Sequence, residues 1–142
     1  MIIVDTSGLL AAIDGSQRQH AAAKQALRAA RPPWLLSPFV LAELDYLLAT
    51  RVGQSAERAL LREVGRGVYR LEAFDASDIE AAERVIARHA DLGIGLADAS
   101  VVVLANRYGI HDLVTLDERH FRALRGPNGR PYRILPADDI TR

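Results

Sequence analysis

The chain has 142 residues, of which 49% are hydrophobic and 25% charged, with a formal net charge of zero. That size and balance fit one globular domain with a sizeable core. The lack of cysteine excludes disulfides and thiolate metal sites, and no apolar run approaches membrane-spanning length.

Residues 2–5 read as a short buried strand, apolar until Asp5. Thr6 or Ser7 can cap a helix starting near Gly8, and Asp14-Gly15-Ser16 breaks it. A second, alanine-rich helix is expected from His20 to Ala30, ended by Arg31-Pro32-Pro33. Trp34 to Leu36 is a strand. Ser37-Pro38 then gives a cap followed by proline in the first turn, starting a helix to about Thr50. Ser55 to Val64 forms a further helix, and Val68 to Phe74 has strand character with Tyr69, Leu71 and Ala73 on one face. Asp75 caps the next helix, which carries Ile79, Ala82, Val85, Ile86 and His89 on one side. Asp91 to Gly95 is a loop, followed by a helix to about Tyr108 that Gly109 closes. Leu113 to Leu116 is another buried strand. Arg125 to Pro131 is a turn-rich loop, and Tyr132 to Leu135 is the last strand. Strands alternating with helices predict a parallel sheet covered on both faces, a three-layer α/β/α domain over residues 1–142. Strand order is not readable from this pattern.

Four acids stand out: Asp5, Glu43, Asp98 and Asp117. Each interrupts or closes an apolar run: Met1 to Val4, Phe39 to Leu44, Ala97 to Leu104, and Leu113 to Leu116. A bare carboxylate in such surroundings is costly unless compensated. In open parallel sheets, sites form beyond the carboxyl ends of the strands. Asp5 and Asp117 follow strands, Asp98 opens a helix, and Glu43 lies in the second turn after Ser37-Pro38. All four are consistent with one edge. Converging carboxylates repel unless a cation sits among them, and an all-oxygen set suits Mg²⁺ or Mn²⁺. Such sites hydrolyse or transfer phosphate esters.

Structural explanations compete at each position. Asp5 and Asp98 can cap helices, Glu43 can pair with an arginine in the core, and Asp117 can start a turn with Glu118 and Arg119. Asp45 falls on another side of its helix from Glu43. Thr6, Ser7 and Thr115 adjoin the acids and can orient them, or serve only as caps and strand formers. The four histidines lack zinc-like spacing; His120, near Asp117, can touch substrate or pack beside Phe121, and packing is the preferred reading. Zero net charge argues against a nucleic-acid partner. Yet gathering four acids at one ion leaves the remaining surface positive. The cations are almost all arginine, which suits phosphate, with Lys24 the only lysine. Arg119 and Arg122 are the first candidates for substrate contact.

These residues carry a resemblance. Ile3-Val4-Asp5-Thr6-Ser7, Ser37 to Leu44, Gly95 to Ser100, Val114 to Phe121 and Ile134-Leu135-Pro136 together resemble PIN-domain ribonucleases of the VapC toxin type. VapC toxins are one half of bacterial type II toxin–antitoxin pairs. The resemblance covers nearly the whole chain, and the acidic positions all match. It implies a PIN-like fold and a Mg²⁺- or Mn²⁺-dependent endoribonuclease acting on structured RNA, in a transfer-RNA or ribosomal-RNA loop. It implies an acidic centre of Asp5, Glu43 and Asp98 supported by Asp117. Asp5 and Asp98 would hold the metal, with Glu43 and Asp117 acting directly or through water. Thr115 matches the family's hydroxyl before the fourth acid. It also implies a VapB-type antitoxin partner and a homodimer. The apolar helices around Leu47 and Leu48 also suggest the homodimer. The expected location is cytoplasmic, without a membrane partner. The alternatives are a non-catalytic module on the same fold, another Mg²⁺-dependent phosphotransfer domain, or a DNA nuclease. A phosphoaspartate receiver would need a late lysine, which this chain lacks.

Overall fold

The computed structural model describes Met1–Asp139; residues 140–142, the end of the expected domain, lie outside the described residues. Five parallel strands form one sheet in the order β3-β2-β1-β4-β5. They are β1 (Ile2–Val4), β2 (Trp34–Leu36), β3 (Arg70–Leu71), β4 (Asp112–Val114) and β5 (Arg133–Leu135). Ile3 pairs with Leu35 on one side and Leu113 on the other. The side chains of Ile3, Val4, Leu35, Leu36, Leu113, Val114 and Ile134 are all 0% exposed. Strands buried on both faces need this continuous apolar character, and each such side chain contributes about 1.5–3 kcal/mol.

Among the described residues, seven helices cover the sheet: α1 (Thr6–Ile13), α2 (His20–Ala29), α3 (Pro38–Arg51), α4 (Gln54–Gly65), α5 (Ala76–Arg88), α6 (Leu96–Tyr108) and α7 (Glu118–Ala123). From β1 the chain winds outward through β2 to β3, then crosses back to β4 beside β1 and on to β5. The winding direction reverses between β1 and β4, so a crevice opens beyond their carboxyl ends. Helix α6 is buried all round from Ala99 to Ala105, which explains its lack of a polar face. Gly109 closes it in the left-handed conformation.

Several boundaries differ from the sequence reading. Helix α1 starts at Thr6 rather than near Gly8, with Asp5 at the cap position but making no side-chain cap bond. Neither Thr6 nor Ser7 is the cap, because both already lie in the helix. The early start lets Gly8 press on β4. A Cβ there would stand 2.3 Å from the Val114 carbonyl oxygen, so only glycine permits the approach.

The expected strand from Val68 to Phe74 is only Arg70–Leu71, and its predicted face is wrong. Tyr69 is buried, but Leu71 and Ala73 are exposed and Glu72 turns inward. Arg70 donates to Glu72 at 2.9 Å, Arg107 donates at 3.4 Å, and the Tyr108 hydroxyl also bonds it. A polar network therefore replaces hydrophobic alternation at this sheet edge. The loop from Asp91 to Gly95 opens with a 3-10 turn over Ala90–Leu92. Strand β4 ends at Val114 instead of Leu116, although Thr115 still donates to the Leu135 carbonyl at 3.0 Å. Helix α7 has no counterpart in the sequence reading, and it replaces the turn offered there as the structural alternative for Asp117. Leu48 is 0% exposed in the core, so it offers nothing to a second subunit. The exposed apolar groups of α3 and α4 are Tyr46 and Leu61, with Val52 between the two helices. No helix among the described residues is long and apolar enough to cross a membrane.

Candidate active site

The reversal of winding places Asp5 directly after β1 and Asp117 just beyond β4. The Asp5 backbone N–H donates to the Val114 carbonyl at 2.9 Å, which locks it to β4. Its side chain is 3% exposed and turns towards Thr115. The Thr115 hydroxyl donates to Asp5 Oδ2 at 2.7 Å and accepts the Asp117 N–H at 3.0 Å. Ser7 Oγ accepts the Leu116 N–H at 2.9 Å and lies 3.1 Å from Thr115 Oγ1. Ser7 Oγ also donates to Asp5 Oδ2 at 3.5 Å, so its one proton is shared between Asp5 and the Thr115 oxygen. One threonine and one serine thus register the ends of β1, α1 and β4. Thr6 Oγ1 is buried without a hydrogen-bond partner and borders the same cleft.

Glu43 comes from the second turn of α3. Ser37 Oγ accepts the Phe39 and Val40 N–H groups at 3.1 and 3.5 Å, and Pro38 occupies the first turn. Val40, Leu44 and Leu48 face the core. Glu43, Leu47 and Arg51 share the flank bordering the cleft, at the four-residue spacing of one helical face. Glu43 is exposed, so it is not a core ion-pair partner. Asp45 is absent from the cleft lining and instead lies near Glu57, where it raises the Glu57 carboxyl above its usual range.

Asp98 is the third residue of α6, half-buried in its first turn. A buried hydroxyl pair ties this turn to α3. Ser100 Oγ donates to the Ala97 carbonyl at 2.6 Å and sits 2.6 Å from Ser37 Oγ. Because Ser100 has used its proton, Ser37 donates to it while capping α3. Asp117 caps α7, its Oδ1 accepting the His120 N–H at 3.0 Å. Its Oδ2 remains directed at the His120 ring.

All four acids line one cleft of about 420 Å³, together with Gln17, Leu47, Arg51 and Leu96. Their proximity is electrically expensive. Burial pushes the Asp5 carboxyl up to about 7; the Thr115 bond and the Thr6 N–H hold it down, and Asp98 and Asp117 raise it further. Burial also lifts Asp98, reinforced by Asp117 and Glu43 and opposed by His120. Among the described residues, none of the four acids is ion-paired with an arginine or lysine; the one basic side chain beside them is His120. Repelling carboxylates, an orphaned Thr6 hydroxyl and no fixed guanidinium make a donor set fitted to a divalent cation.

Sequence reasoning missed two residues here and preferred the wrong reading of a third. Arg51 and Gln17 reach the cleft from α3 and from the turn before α2, and no local motif marks either. Packing was the preferred reading of His120 over substrate contact, yet its Nδ1 lies 2.8 Å from Asp117 Oδ2 and 3.3 Å from Asp98 Oδ2. A histidine three residues after an acidic cap, on one helical face with it, was the available signal. Arg119 is exposed on α7 outside the cleft lining. Arg122 is held by Glu118 and Asp138, each at 2.7 Å, also away from the cleft.

The family model described as PIN domain matches residues 2–127. The chain is 45% identical over 135 residues to Ribonuclease VapC26 of Mycobacterium tuberculosis, covering 95% of this chain and all of that protein. Among solved structures it resembles VapC20 of Mycobacterium tuberculosis, described as a Sarcin-Ricin loop cleaving toxin. There the TM-score is 0.77 and the identity 28%, over 82% of this chain and 90% of the other. It also resembles a DNA-bound VapBC structure from Salmonella typhimurium, with a TM-score of 0.64 and 18% identity over 94% of this chain and 96% of that one; this likeness concerns the fold alone.

Proposed function

The chain belongs to the PIN-domain family, in its VapC ribonuclease branch, and from that premise we propose that it is a metal-dependent endoribonuclease toxin. The observation that carries the reading is the convergence of Asp5, Glu43, Asp98 and Asp117 on one cleft, with no lysine or arginine ion-paired to them among the described residues. Asp5 and Asp98 hold a divalent ion, and Glu43 and Asp117 join them directly or through water. When bound, Mg²⁺ or Mn²⁺ supplies positive charge for the phosphodiester and makes water a stronger acid.

The chain's own residues supply the rest. Thr115 and Ser7 fix the Asp5 carboxylate by the bonds described above, so that it does not turn away when substrate enters. Asp5 and Asp98, whose carboxyls are raised by burial, are placed to accept a proton from the attacking water. Water oxygen adds to phosphorus, a P–O ester bond breaks, and the leaving oxygen takes a proton from solvent. Arg51 on the cleft wall holds a phosphate, and Arg119 and Arg122 contact the RNA backbone farther out. Arg122 must first leave Glu118 and Asp138. Binding is therefore salt-sensitive, and an RNA loop is a better substrate than a regular duplex.

The proposal includes a VapB-type antitoxin that blocks the cleft, and a cytoplasmic site of action. It also includes a homodimer, for which exposed Tyr46, Val52 and Leu61 are the candidate contact. A monomeric mass by light scattering, without antitoxin, removes the homodimer. The test of function is cleavage of total RNA with mapped 5′ ends, in Mg²⁺, Mn²⁺ or chelator, beside Asp5→Asn. Discrete metal-dependent cuts that vanish in the variant are expected. No cuts from folded, metal-loaded protein point instead to a non-catalytic binding module.

A further inference from the structure

We propose that His120 is itself a ligand of the divalent ion, binding through Nδ1 beside Asp98 and Asp117. This rests on the metal-dependent reading above. It changes the character of the site from all-oxygen to mixed oxygen and nitrogen.

Three observations support it. The donor atoms of Asp98, Asp117 and His120 all lie within 4.8 Å of one another. The two separations from Nδ1, 2.8 and 3.3 Å, bracket the spacing of adjacent corners in an octahedron. For bonds of about 2.1 Å that spacing is roughly 3 Å. Second, Nδ1 is buried without a hydrogen-bond partner, although two carboxylates stand close by. The ring is near both but out of line for a directed bond to either. A histidine serving only to bridge two carboxylates would aim its N–H at one of them. Third, the residue is anchored. Its backbone N–H donates to Asp117 Oδ1 at 3.0 Å in the first turn of α7, and the adjoining Phe121 is 0% exposed in the core. Asp117 thus positions His120 with one oxygen and shares the ion with the other.

The consequence is selectivity. Imidazole nitrogen is a softer donor than carboxylate, whereas Mg²⁺ prefers oxygen and keeps its waters. A nitrogen ligand therefore moves the site from Mg²⁺ towards Mn²⁺. Removing it should narrow the difference in affinity between the two ions.

Pulsed electron paramagnetic resonance of the full-length protein with Mn²⁺ tests this without relying on activity. Nitrogen couplings of a directly bound imidazole are expected, changing to the ¹⁵N pattern in protein made with ¹⁵N-histidine. The native protein suffices for the assignment. His20 Nδ1 lies 2.8 Å from the Ala11 carbonyl and His111 Nε2 lies 2.9 Å from the Pro127 carbonyl, while His89 caps α5. In His120→Gln the coupling should vanish, and Mn²⁺ affinity by calorimetry should fall about tenfold, more than that for Mg²⁺. Mn²⁺ that binds in an Asp98-dependent way, yet shows no nitrogen coupling, overturns the assignment and leaves the nuclease reading standing. Unchanged or tighter Mn²⁺ binding by His120→Gln does the same, showing a counter-ion that the metal displaces. Failure of the native protein to bind Mn²⁺ overturns both.

Discussion

Replacing Asp5 by asparagine should stabilise the ion-free protein while destroying its activity, and the gain should grow with pH. The native carboxyl titrates at about 7, against 3.8 for an ordinary aspartate. The folded state therefore holds a proton that the unfolded state releases. Asp5 costs nothing well below pH 3.8; its cost grows as pH rises and is complete above about 7. The whole difference corresponds to about 4 kcal/mol, at roughly 1.4 kcal/mol per pH unit. At pH 5 the cost is about 2 kcal/mol. Asparagine avoids this cost and can still accept the Thr115 hydroxyl, but its amide protons need partners in a site built for acceptors. A net gain of roughly 2–3 kcal/mol at pH 8 remains after that discount. The assay is urea unfolding in chelator at pH 5, 6.5 and 8, on both proteins. Saturating Mn²⁺ should reverse the order, because only the native site then gains binding energy. A difference that is constant across pH, or a variant less stable at pH 8, refutes the electrostatic account of the cluster.

Thr115→Val removes the hydroxyl that donates to Asp5 and receives the Asp117 N–H. Metal affinity and RNA cleavage should fall about 10- to 100-fold, with Thr115→Ser restoring most of the loss; metal titration and a cleavage time course measure both. Gly8→Ala puts a methyl group 2.3 Å from a backbone oxygen that cannot retreat. It should cost about 3 kcal/mol or more in chelator-treated protein, read from urea unfolding, whereas Gly65→Ala, with open space around it, should change little. Arg51→Gln should weaken RNA binding and lower the slope of log affinity against log salt by about one, as should Arg119→Gln if it touches phosphate. An unchanged slope removes that residue from the interface.

The centre of the sheet was legible because β1, β2 and the Leu113–Val114 end of β4 are short apolar runs followed by polar residues, a pattern with few other uses. Ser37-Pro38 and Gly109 marked their helix ends for the local reasons that operate in the structure. The four acids were legible because each sits in a locally hydrophobic setting that demands compensation. What escaped depends on other segments. Strand β3 alternates the wrong way because Arg70, Arg107 and Tyr108 satisfy an inward Glu72, and two of those three are far away in sequence. Helix α7 is six residues long, too short for a period to emerge. His120 looked like a neighbour of Phe121 because the helix that turns the two in different directions was missing. Leu48 looked surplus because the area covered by α3 and α6 together is not written in either.

The hydroxyl pair of Ser37 and Ser100 bears on which partner must change shape during recognition. It sets the separation of α3 from α6 from inside the core, where no ligand reaches it. The opposite wall is equally constrained, with Gly8 seated on β4 and Asp5 bonded across to it. A cleft pinned at both sides has little freedom to close around an incoming strand. The adjustment falls to the nucleic acid, which must bend its own backbone to present one phosphate. Rigid duplex would meet a large penalty, and an already kinked, unstacked turn almost none. On the nuclease reading proposed above, selectivity of that kind would rest on the substrate's pliability.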